Sequence, residues 1–339
     1  MYFDHAHLLD PPIQRAAYSD RTAWIMAKLS ELAYEQFEGT EEETAETVTE
    51  RLEEKLESGG FKLVDKYNES TRRMGAEAKS GKDAAMPKVD TQAILVMKPG
   101  VMAVLAFRGS EPNVTDWVFT DANATFVPTE DGEGRIHEGF YEAFKAVRKD
   151  IERAIVDFEK IPKGMPLYVT GHSLGGALAN VAGVELEKTR TLAAVYTFGS
   201  PRVGDDVWAA RMKVPVYRVA NGRDIVPLIP FSSLIGNLLI RLGFGVLVRI
   251  ARKGILGYIG YRHVGDFRHL TQDGRLVTGT AATFSRLGDL IVDAPVAFAR
   301  RSFKLFGVVL KFGTDHFIPN YIAKLEKIAL QRNTISEDG

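Results

Sequence analysis

The sequence contains no cysteine in its 339 residues. This absence excludes disulfide bonds, zinc sites with cysteine ligands and a thiol nucleophile, but it leaves the compartment open because secreted proteins can also lack cysteine. The formal net charge is only −1. Since no strong overall charge attracts nucleic acid, we expect no nucleic-acid partner, and any attraction to a membrane surface has to come from local charge clusters.

Long uninterrupted apolar stretches are also missing. No charge-free apolar run reaches the roughly 18 residues that a membrane-spanning helix requires, so we expect no transmembrane segment. Residues 1–12 lack the basic and apolar regions of a Sec-type signal peptide. Three locations stay open: the cytoplasm, the periphery of a membrane, and the outside of the cell after removal of a signal or export by another route.

No stretch between residues 91 and 316 has the composition of a flexible linker. A chain of this length can form one large domain or two. Without a linker, the sequence predicts a single α/β domain over residues 1–339 that carries insertions.

Strands and helices are predicted to alternate along the chain. Short apolar runs predict strands at residues 61–67, 92–97, 101–107, 165–170, 192–198 and 214–219. Apolar residues at helical spacing predict helices at residues 20–37, 139–158 and 174–188, and the acidic residues 41–57 predict a solvated surface helix. Residues 98–100, Lys-Pro-Gly, predict a hairpin turn, and the polar residues 68–90 predict a long surface loop. This alternation is typical of a mostly parallel sheet with helices on both faces.

One segment, YVTGHSLGGALAN at residues 168–180, surrounds a serine with three glycines between a predicted strand and a predicted helix. Residues 171–175 match G-x-S-x-G, the nucleophile elbow. In that turn the backbone reverses within two residues, and glycines leave room for the helix to pack closely. The elbow lifts the serine hydroxyl above the sheet, toward the free N–H groups of the helix N-terminus. Ser173 is therefore the candidate nucleophile, with a plain glycine-rich turn as the alternative.

A serine hydroxyl is a poor nucleophile at neutral pH and needs a base and an orienting acid. In α/β-hydrolases these residues follow the order Ser, Asp or Glu, His. The order excludes the four histidines that precede or adjoin Ser173, which are His5, His7, His137 and His172. The remaining candidates for the base are His263, His269 and His316.

The strongest candidate for the acid is Asp224. It follows a predicted strand and so lies in a loop at the carboxyl edge of the sheet, on the same side as the elbow. Asp205 and Asp206 are rivals because they also follow a strand, but adjacent aspartates at such a position are more typical of a helix N-cap.

A tetrahedral oxyanion requires two hydrogen-bond donors. One candidate is the backbone N–H of Leu174, the residue after the nucleophile, and the other comes from a loop after a different strand. Ser110 ends the segment Phe-Arg-Gly-Ser that follows residues 101–107, and could offer both its N–H and its hydroxyl. The alternative is an ordinary turn serine.

Several motifs, taken in order, resemble the class 3 (fungal-type) lipases over residues 18–322. They are AFRGS at 106–110 with Asp-Trp at 116–117, HEGFY at 137–141, VTGHSLGGALA at 169–179, TFGSPRVGD at 197–205, VANGRDIVPLIP at 219–230 and Asp-His at 315–316. The resemblance implies the α/β-hydrolase fold and a lipase that cleaves lipid esters. It also implies Ser173 as nucleophile, Asp224 as acid, and Ser110 with Leu174 as the oxyanion hole.

The position of His316 makes it the favoured base. It follows Gly313 and Asp315 and precedes an apolar segment, so it is expected in a loop ahead of a final helix, as the family's catalytic histidine is. His263 lies in an aromatic-flanked turn, GYRHVGDFRHL, where backbone partners could satisfy it structurally.

Residues 231–260 and 291–313 are predicted to be amphipathic insertions. Their basic residues fall on one side of a helix and their large apolar residues mostly on the other. Family members often carry a lid just after the oxyanion strand. The corresponding segment here, residues 111–120, is short for a lid. Either insertion is therefore an alternative lid or interface-binding element. The other interpretation is that both bury their apolar faces on the core.

The substrate class stays open in the sequence. A triacylglycerol lipase, a phospholipase and a short-chain esterase all use the same triad, and a non-catalytic membrane-docking protein with this fold is a further alternative. We expect a lipid ester as the substrate and a peripheral lipid surface as a partner. We expect no cofactor, and no metal because no His/carboxylate cluster has ligand spacing. The sequence does not indicate the oligomeric state.

Overall fold

The structure, a computed structural model, describes residues 1–12, 17–35, 44–71, 89–109, 126–229, 260–291 and 314–333. Its centre is an eight-stranded sheet in the order β1-β2-β3-β6-β7-β8-β9-β10. These strands are β1 Lys62–Thr71, β2 Val89–Lys98, β3 Met102–Phe107, β6 Leu167–His172, β7 Ala194–Phe198, β8 Val216–Asn221, β9 Asp266–Leu270 and β10 Leu276–Thr278. A separate two-stranded sheet pairs β4 Phe126–Pro128 with β5 Arg135–His137.

The sheet is mostly parallel, as the sequence predicts. The run β3-β6-β7-β8-β9 is parallel, while β1, β2 and β10 pair antiparallel at the two edges. Every residue of β3 and β6 is buried. Central parallel strands are covered on both faces, which is why these two read as continuous apolar runs rather than as alternating ones.

Helices cover both faces of this sheet. They are α1 Asp20–Leu32, α2 Ala45–Glu57, α3 Glu138–Val156, α4 Leu174–Leu186, α5 Asp206–Ala209, α6 Gly279–Ile291 and α7 Ile318–Asn333. Short 3₁₀ turns occupy Ala6–Leu9 and Val226–Leu228. Strand β2 shows the two layers: Ile94 and Val96 pack with α1 and α7, whereas Ala93 and Leu95 pack with α3 and α4. This alternation follows from the two-residue period of a strand.

Most predicted elements are confirmed, including the hairpin of β2 and β3 around residues 98–100. The predicted loop at residues 68–90 is wrong at both ends. Strand β1 continues to Thr71 and β2 begins at Val89, and these two residues pair. Asn68 and Gln92 face each other across this ladder, and the Gln92 amide donates to the Asn68 side chain at 3.1 Å. Backbone pairing thus extends both strands into polar residues, where there is no apolar run from which a strand could be predicted.

The two predicted insertions lie outside the described residues, apart from their end residues Gly260 and Ile291. Within the described ranges, no helix combines the length and the hydropathy that a membrane crossing demands.

Candidate active site

Ser173 lies at the turn between β6 and α4, in a strained backbone conformation. Its φ of 56° and ψ of −126° make it the one non-glycine residue with positive φ in the part of the chain that the structure describes. Such a conformation costs on the order of 1–3 kcal/mol and persists only where the surroundings hold it. The Ser173 N–H donates to the Phe198 carbonyl on β7 at 2.9 Å. The turn is therefore tied to the neighbouring strand.

The surrounding glycines allow close packing at the elbow. A Cβ on Gly171 would overlap the Gly175 carbonyl, and a Cβ on Gly175 would overlap the Phe107 carbonyl at the end of β3. A Cβ on Gly176 would lie 2.7 Å from the Ser200 Cβ. These contacts confirm the sequence interpretation that the glycines bring the start of α4 against the sheet.

Ser173, His316 and Asp224 form a continuous hydrogen-bonded chain. The His316 Nε2 atom lies 2.9 Å from the Ser173 Oγ, and the His316 Nδ1 atom lies 2.9 Å from the Asp224 Oδ2. The Asp224 carboxylate accepts from Nδ1–H, which leaves Nε2 as the acceptor for the serine proton. Asp224 is fully buried and Ser173 is buried. The structure thus brings together three residues that are 51 and 92 positions apart along the chain.

The Asp224 carboxylate is held from several directions. The Val226 N–H donates to Oδ1 at 2.9 Å, and the Tyr321 hydroxyl on α7 donates to Oδ2 at 2.5 Å. Burial favours the neutral acid, but the His316 charge and the hydrogen bonds from His316 and Tyr321 outweigh it, so the pKa of Asp224 lies below its usual value. The Arg286 guanidinium also donates to the Asp224 backbone carbonyl at 2.6 Å. Asp224 is therefore kept ionised and oriented.

Asp315 fixes the backbone turn that carries His316. Its carboxylate accepts from the Arg223 N–H at 2.8 Å and from the Gln272 amide at 2.5 Å. Its carbonyl accepts from the Asn221 side chain at 2.9 Å. Asp315 therefore supports the loop and is not the acid that contacts the imidazole.

His172, which chain order excludes as a base, makes a second contact with His316. Its Nε2 atom lies 2.6 Å from the His316 carbonyl, and because a carbonyl only accepts, Nε2 carries the proton. The Nδ1 atom then accepts from the Tyr34 hydroxyl at 2.8 Å. The Tyr34 hydroxyl also lies directly against Gly109, where a Cβ would overlap it. This chain of hydrogen bonds runs from Tyr34 through His172 to the backbone of His316, and we call it the His172 bridge.

Burial and the nearby charge of His316 lower the pKa of His172 to about 3. The imidazole is therefore neutral at any ordinary pH and keeps both its donor and its acceptor. The two imidazole rings also pack together, with centroids 4.6 Å apart. The sequence gives only a weak signal for this role, namely the position of His172 beside Ser173, and no signal for Tyr34 or Tyr321.

The rival residues have structural partners elsewhere. His263 donates from Nε2 to the Pro227 carbonyl at 2.6 Å, and burial with the charges of Arg218 and Arg202 holds its pKa well below the usual value. His269 contacts the Gly222 carbonyl at 3.2 Å. Asp205 is the N-cap of α5, as its sequence position indicates, and accepts from the Trp208 N–H at 2.9 Å. Asp206 pairs with Arg262 at 2.6 Å.

Of the two candidate oxyanion donors, only Leu174 lies within the described residues. Leu174 is the first residue of α4, so its N–H has no carbonyl partner within the helix. Ser110 lies outside the described residues, although Gly109 before it is described and is packed so tightly that a Cβ there would overlap the Tyr34 hydroxyl. Among the described residues, one group of side chains has atoms close enough to share a metal ion. It consists of Asp4, His5 and Glu326 and contains no triad residue.

Known proteins match the part of the chain that contains the elbow. The family described as Lipase (class 3) matches residues 104–234. A secreted mono- and diacylglycerol lipase of Fusarium solani is 38% identical over 134 residues, which is 38% of this chain and 39% of that protein. A lipase of Rhizomucor miehei is 32% identical over 153 residues, which is 42% of this chain and 41% of that protein. The chain spans about two fifths of the length of these curated relatives.

Solved structures match a larger part of the chain. The Rhizomucor miehei lipase propeptide complex has a TM-score of 0.54 at 21% identity and covers 82% of this chain and 78% of that one. A lipase from Rhizopus microsporus var. chinensis has a TM-score of 0.52 at 20% identity, with 82% of each chain covered. At this level of identity the likeness concerns the fold, and it confirms the predicted α/β-hydrolase architecture.

Proposed function

We propose that this chain, whose residues 104–234 match the class 3 lipase family, is a serine carboxylester hydrolase that cleaves lipid esters through an acyl-enzyme intermediate. The observation that carries the proposal is the chain Ser173–His316–Asp224, in which both hydrogen bonds are 2.9 Å long. This geometry supplies the base and the orienting acid that a serine hydroxyl requires.

In the first half of the reaction, Ser173 Oγ attacks the ester carbonyl carbon while His316 Nε2 takes its proton. The Leu174 N–H and Ser110 stabilise the oxyanion of the tetrahedral intermediate. The carbon–oxygen bond to the alcohol then breaks, His316 returns the proton to the leaving oxygen, and the acyl group stays on Ser173. Water, activated by His316, hydrolyses the acyl-enzyme and releases the carboxylic acid. Asp224 stabilises the imidazolium in both halves.

A fluorophosphonate probe tests the nucleophile and the base together. It should label the wild type but not Ser173→Ala, since it reacts with an activated serine hydroxyl. His316→Ala should abolish turnover of a soluble ester, while His263→Ala should lower stability and leave a folded fraction active. Turnover at the wild-type rate in folded His316→Ala protein would contradict the assignment. Absence of labelling in both detergent and lipid would favour the alternative of a docking protein without chemistry.

The Fusarium relative is named a mono- and diacylglycerol lipase, which makes acylglycerols the first substrates to test, ahead of phospholipids. A panel of esters that varies acyl length and head group separates an acylglycerol lipase from a phospholipase or a short-chain esterase. Residues 1–339 are proposed to act as one domain, because one sheet takes strands from Lys62 to Thr278.

A lipid surface is the proposed site of action, on the basis of the amphipathic sequence of residues 231–260 and 291–313. Burying about 400 Å² of apolar surface at about 25 cal/mol per Å² contributes up to roughly 10 kcal/mol, against about 1 kcal/mol for each basic residue at an anionic surface. We therefore expect turnover to rise sharply at a lipid interface, with only partial loss in moderate salt. Phe303→Asp combined with Phe306→Asp should remove this rise and spare hydrolysis of a small soluble ester. An unchanged interfacial response in the folded variant would contradict the proposal.

A further inference from the structure

Three potential metal ligands meet at a place away from the Ser173 elbow, where the N-terminal segment packs on α7. They are Asp4 and His5, just before the 3₁₀ turn Ala6–Leu9, and Glu326 on α7. Their ligand atoms, one imidazole nitrogen and two carboxylate oxygens, all lie within 4.8 Å of one another. The sequence does not reveal this group because Glu326 is more than 300 residues from the other two.

The backbone around these side chains is firmly packed. Phe3 before them and Leu8 after them are buried in the core, and the Phe3 N–H donates to the Ser58 hydroxyl at 3.2 Å. On α7, Leu325 beside Glu326 is fully buried. Glu326 therefore stands on a packed helix, and Asp4 and His5 lie between two residues that are anchored in the core.

The distance between His5 and Glu326 fits two ligands of one ion better than a hydrogen bond. Nε2 of His5 lies 3.4 Å from Oε1 of Glu326. This separation exceeds the 2.7–3.2 Å of a well-formed N–H···O bond. Two ligands that each lie about 2.0–2.1 Å from a tetrahedral ion are about 3.3 Å apart. The pair is therefore already at the spacing of a coordination shell.

The charges at this place also call for a cation. In the part of the chain that the structure describes, neither Asp4 nor Glu326 forms an ion pair with a lysine or arginine, and the contact with His5 is the ion pair found for Glu326. Two carboxylates that lie close together repel, and a divalent ion between them removes this repulsion. The side chains of His5 and Glu326 are 31% and 26% exposed, so an ion and its remaining water ligands can reach them.

We propose that Asp4, His5 and Glu326 bind one zinc ion, or a similar divalent transition-metal ion, that fastens the N-terminal segment to α7. Imidazole with carboxylates suits zinc, whereas calcium and magnesium prefer oxygen ligands alone. The site is structural in effect. It lies on the helix that also carries Tyr321, and it is independent of the proposed hydrolase activity.

Calorimetric titration of the untagged, EDTA-treated protein with zinc chloride tests the site. The wild type should bind one zinc ion per chain, and saturating zinc should raise the Tm by about 2–4 °C because zinc binds the folded state preferentially. Glu326→Gln and His5→Asn should each weaken zinc binding at least about tenfold, since each removes one of three protein ligands. Both variants change partly exposed side chains, so folding without zinc should be kept, which the Tm in EDTA checks.

His7→Asn is the matched control, because His7 neighbours His5 with ring centroids 6.0 Å apart but lies outside the group of ligands. It should bind zinc as the wild type does. The proposal is overturned if the wild type shows no saturable zinc binding, if Glu326→Gln and His5→Asn bind as tightly as the wild type, or if magnesium produces the same Tm rise regardless of His5.

Discussion

The Tyr34 hydroxyl occupies a central position in the His172 bridge. It lies against Gly109, one residue before the candidate oxyanion donor Ser110, and donates to His172, whose Nε2 donates to the His316 carbonyl. The two halves of the proposed catalytic machinery, the oxyanion loop and the base, are thus connected through one neutral imidazole. If either half is displaced by a fraction of an ångström, we expect the stabilisation of the transition state to weaken more than the affinity for the substrate.

Tyr34→Phe tests this connection because it removes one oxygen and keeps the ring. We expect kcat for a soluble ester to fall about tenfold with KM little changed, less than the 10² to 10³ that follows complete loss of an oxyanion donor. Steady-state kinetics measure the split between kcat and KM. Tyr2→Phe is the matched control, since the Tyr2 hydroxyl donates to the Glu31 carboxylate at 2.5 Å and lies outside the bridge. Equal kcat values for the two variants would show that Tyr34 has only a structural role.

At the residue scale, the sequence reveals those side chains that a motif or a chain order identifies. Ser173 and Leu174 follow from the elbow, Asp224 follows from its position after a strand, and His316 follows from the order of the triad and from its position ahead of a final helix. Tyr34 and Tyr321 could not be found this way, since their contacts with His172 and Asp224 span 138 and 97 residues. Neither tyrosine lies in a local pattern that separates it from an ordinary core aromatic.

Among the helices, α4 depends most directly on its small residues. Its N-terminus approaches the end of β3 so closely that a Cβ on Gly175 would overlap backbone atoms of Phe107 and Arg108. These backbone atoms cannot move away without disturbing the sheet. The close contact between α4 and β3 also places the N-terminus of α4 at Ser173. Gly183, two turns later on α4, faces side chains instead: a Cβ there would lie 2.9 Å from Val195 and 3.0 Å from the end of Met212.

Gly175→Ala and Gly183→Ala form a matched pair on one helix. Both gain about 1 kcal/mol of helix propensity. Gly175→Ala should nevertheless lower the free energy of unfolding by a few kcal/mol and abolish activity, because overpacking against backbone costs more than this gain. Gly183→Ala should lower stability by less than Gly175→Ala does, since the atoms nearest its Cβ belong to side chains: the Met212 side chain can rotate away, and Val195 has to shift by a few tenths of an ångström. Urea unfolding with an esterase assay measures both. Equal losses in the two variants would mean that close packing at the elbow does not set the effect.

At the element scale, prediction from sequence succeeds where burial is complete and fails where backbone pairing continues into polar sequence. Strands β3 and β6 are buried throughout and are visible as apolar runs. The polar ends of β1 and β2 have no such pattern, because residues 68–71 contain no apolar residue and pair with the neighbouring strand through the backbone ladder. For this reason the strands are longer than residues 61–67 and 92–97 suggest.

For the whole molecule, the buried histidines make stability depend on pH. Burial lowers the pKa values of His172, His263 and His269, in the case of His172 to about 3. In the unfolded chain a histidine has a pKa of about 6.5, so below this pH the unfolded state binds more protons than the folded state. Stability therefore rises with pH: it is fully present above about pH 6.5 and is lost as the pH falls toward the folded pKa values. The lowered pKa of Asp224 acts in the same direction at still lower pH.

His263→Gln isolates one of these histidines without touching the triad. The glutamine amide can still donate to the Pro227 carbonyl, which His263 contacts at 2.6 Å, but it cannot take up a proton. We expect the slope of unfolding free energy against pH between pH 6.5 and 4.5 to fall by up to about 1.4 kcal/mol per pH unit, the contribution of one proton. Urea unfolding at steps of half a pH unit measures the slope. Above pH 7.5 the curves of unfolding free energy against pH should be parallel for the two proteins, because neither the folded nor the unfolded state then binds this proton. If the variant keeps the wild-type slope below pH 6.5, His263 takes up its proton within the folded protein, and the acid sensitivity of the fold has to come from other groups.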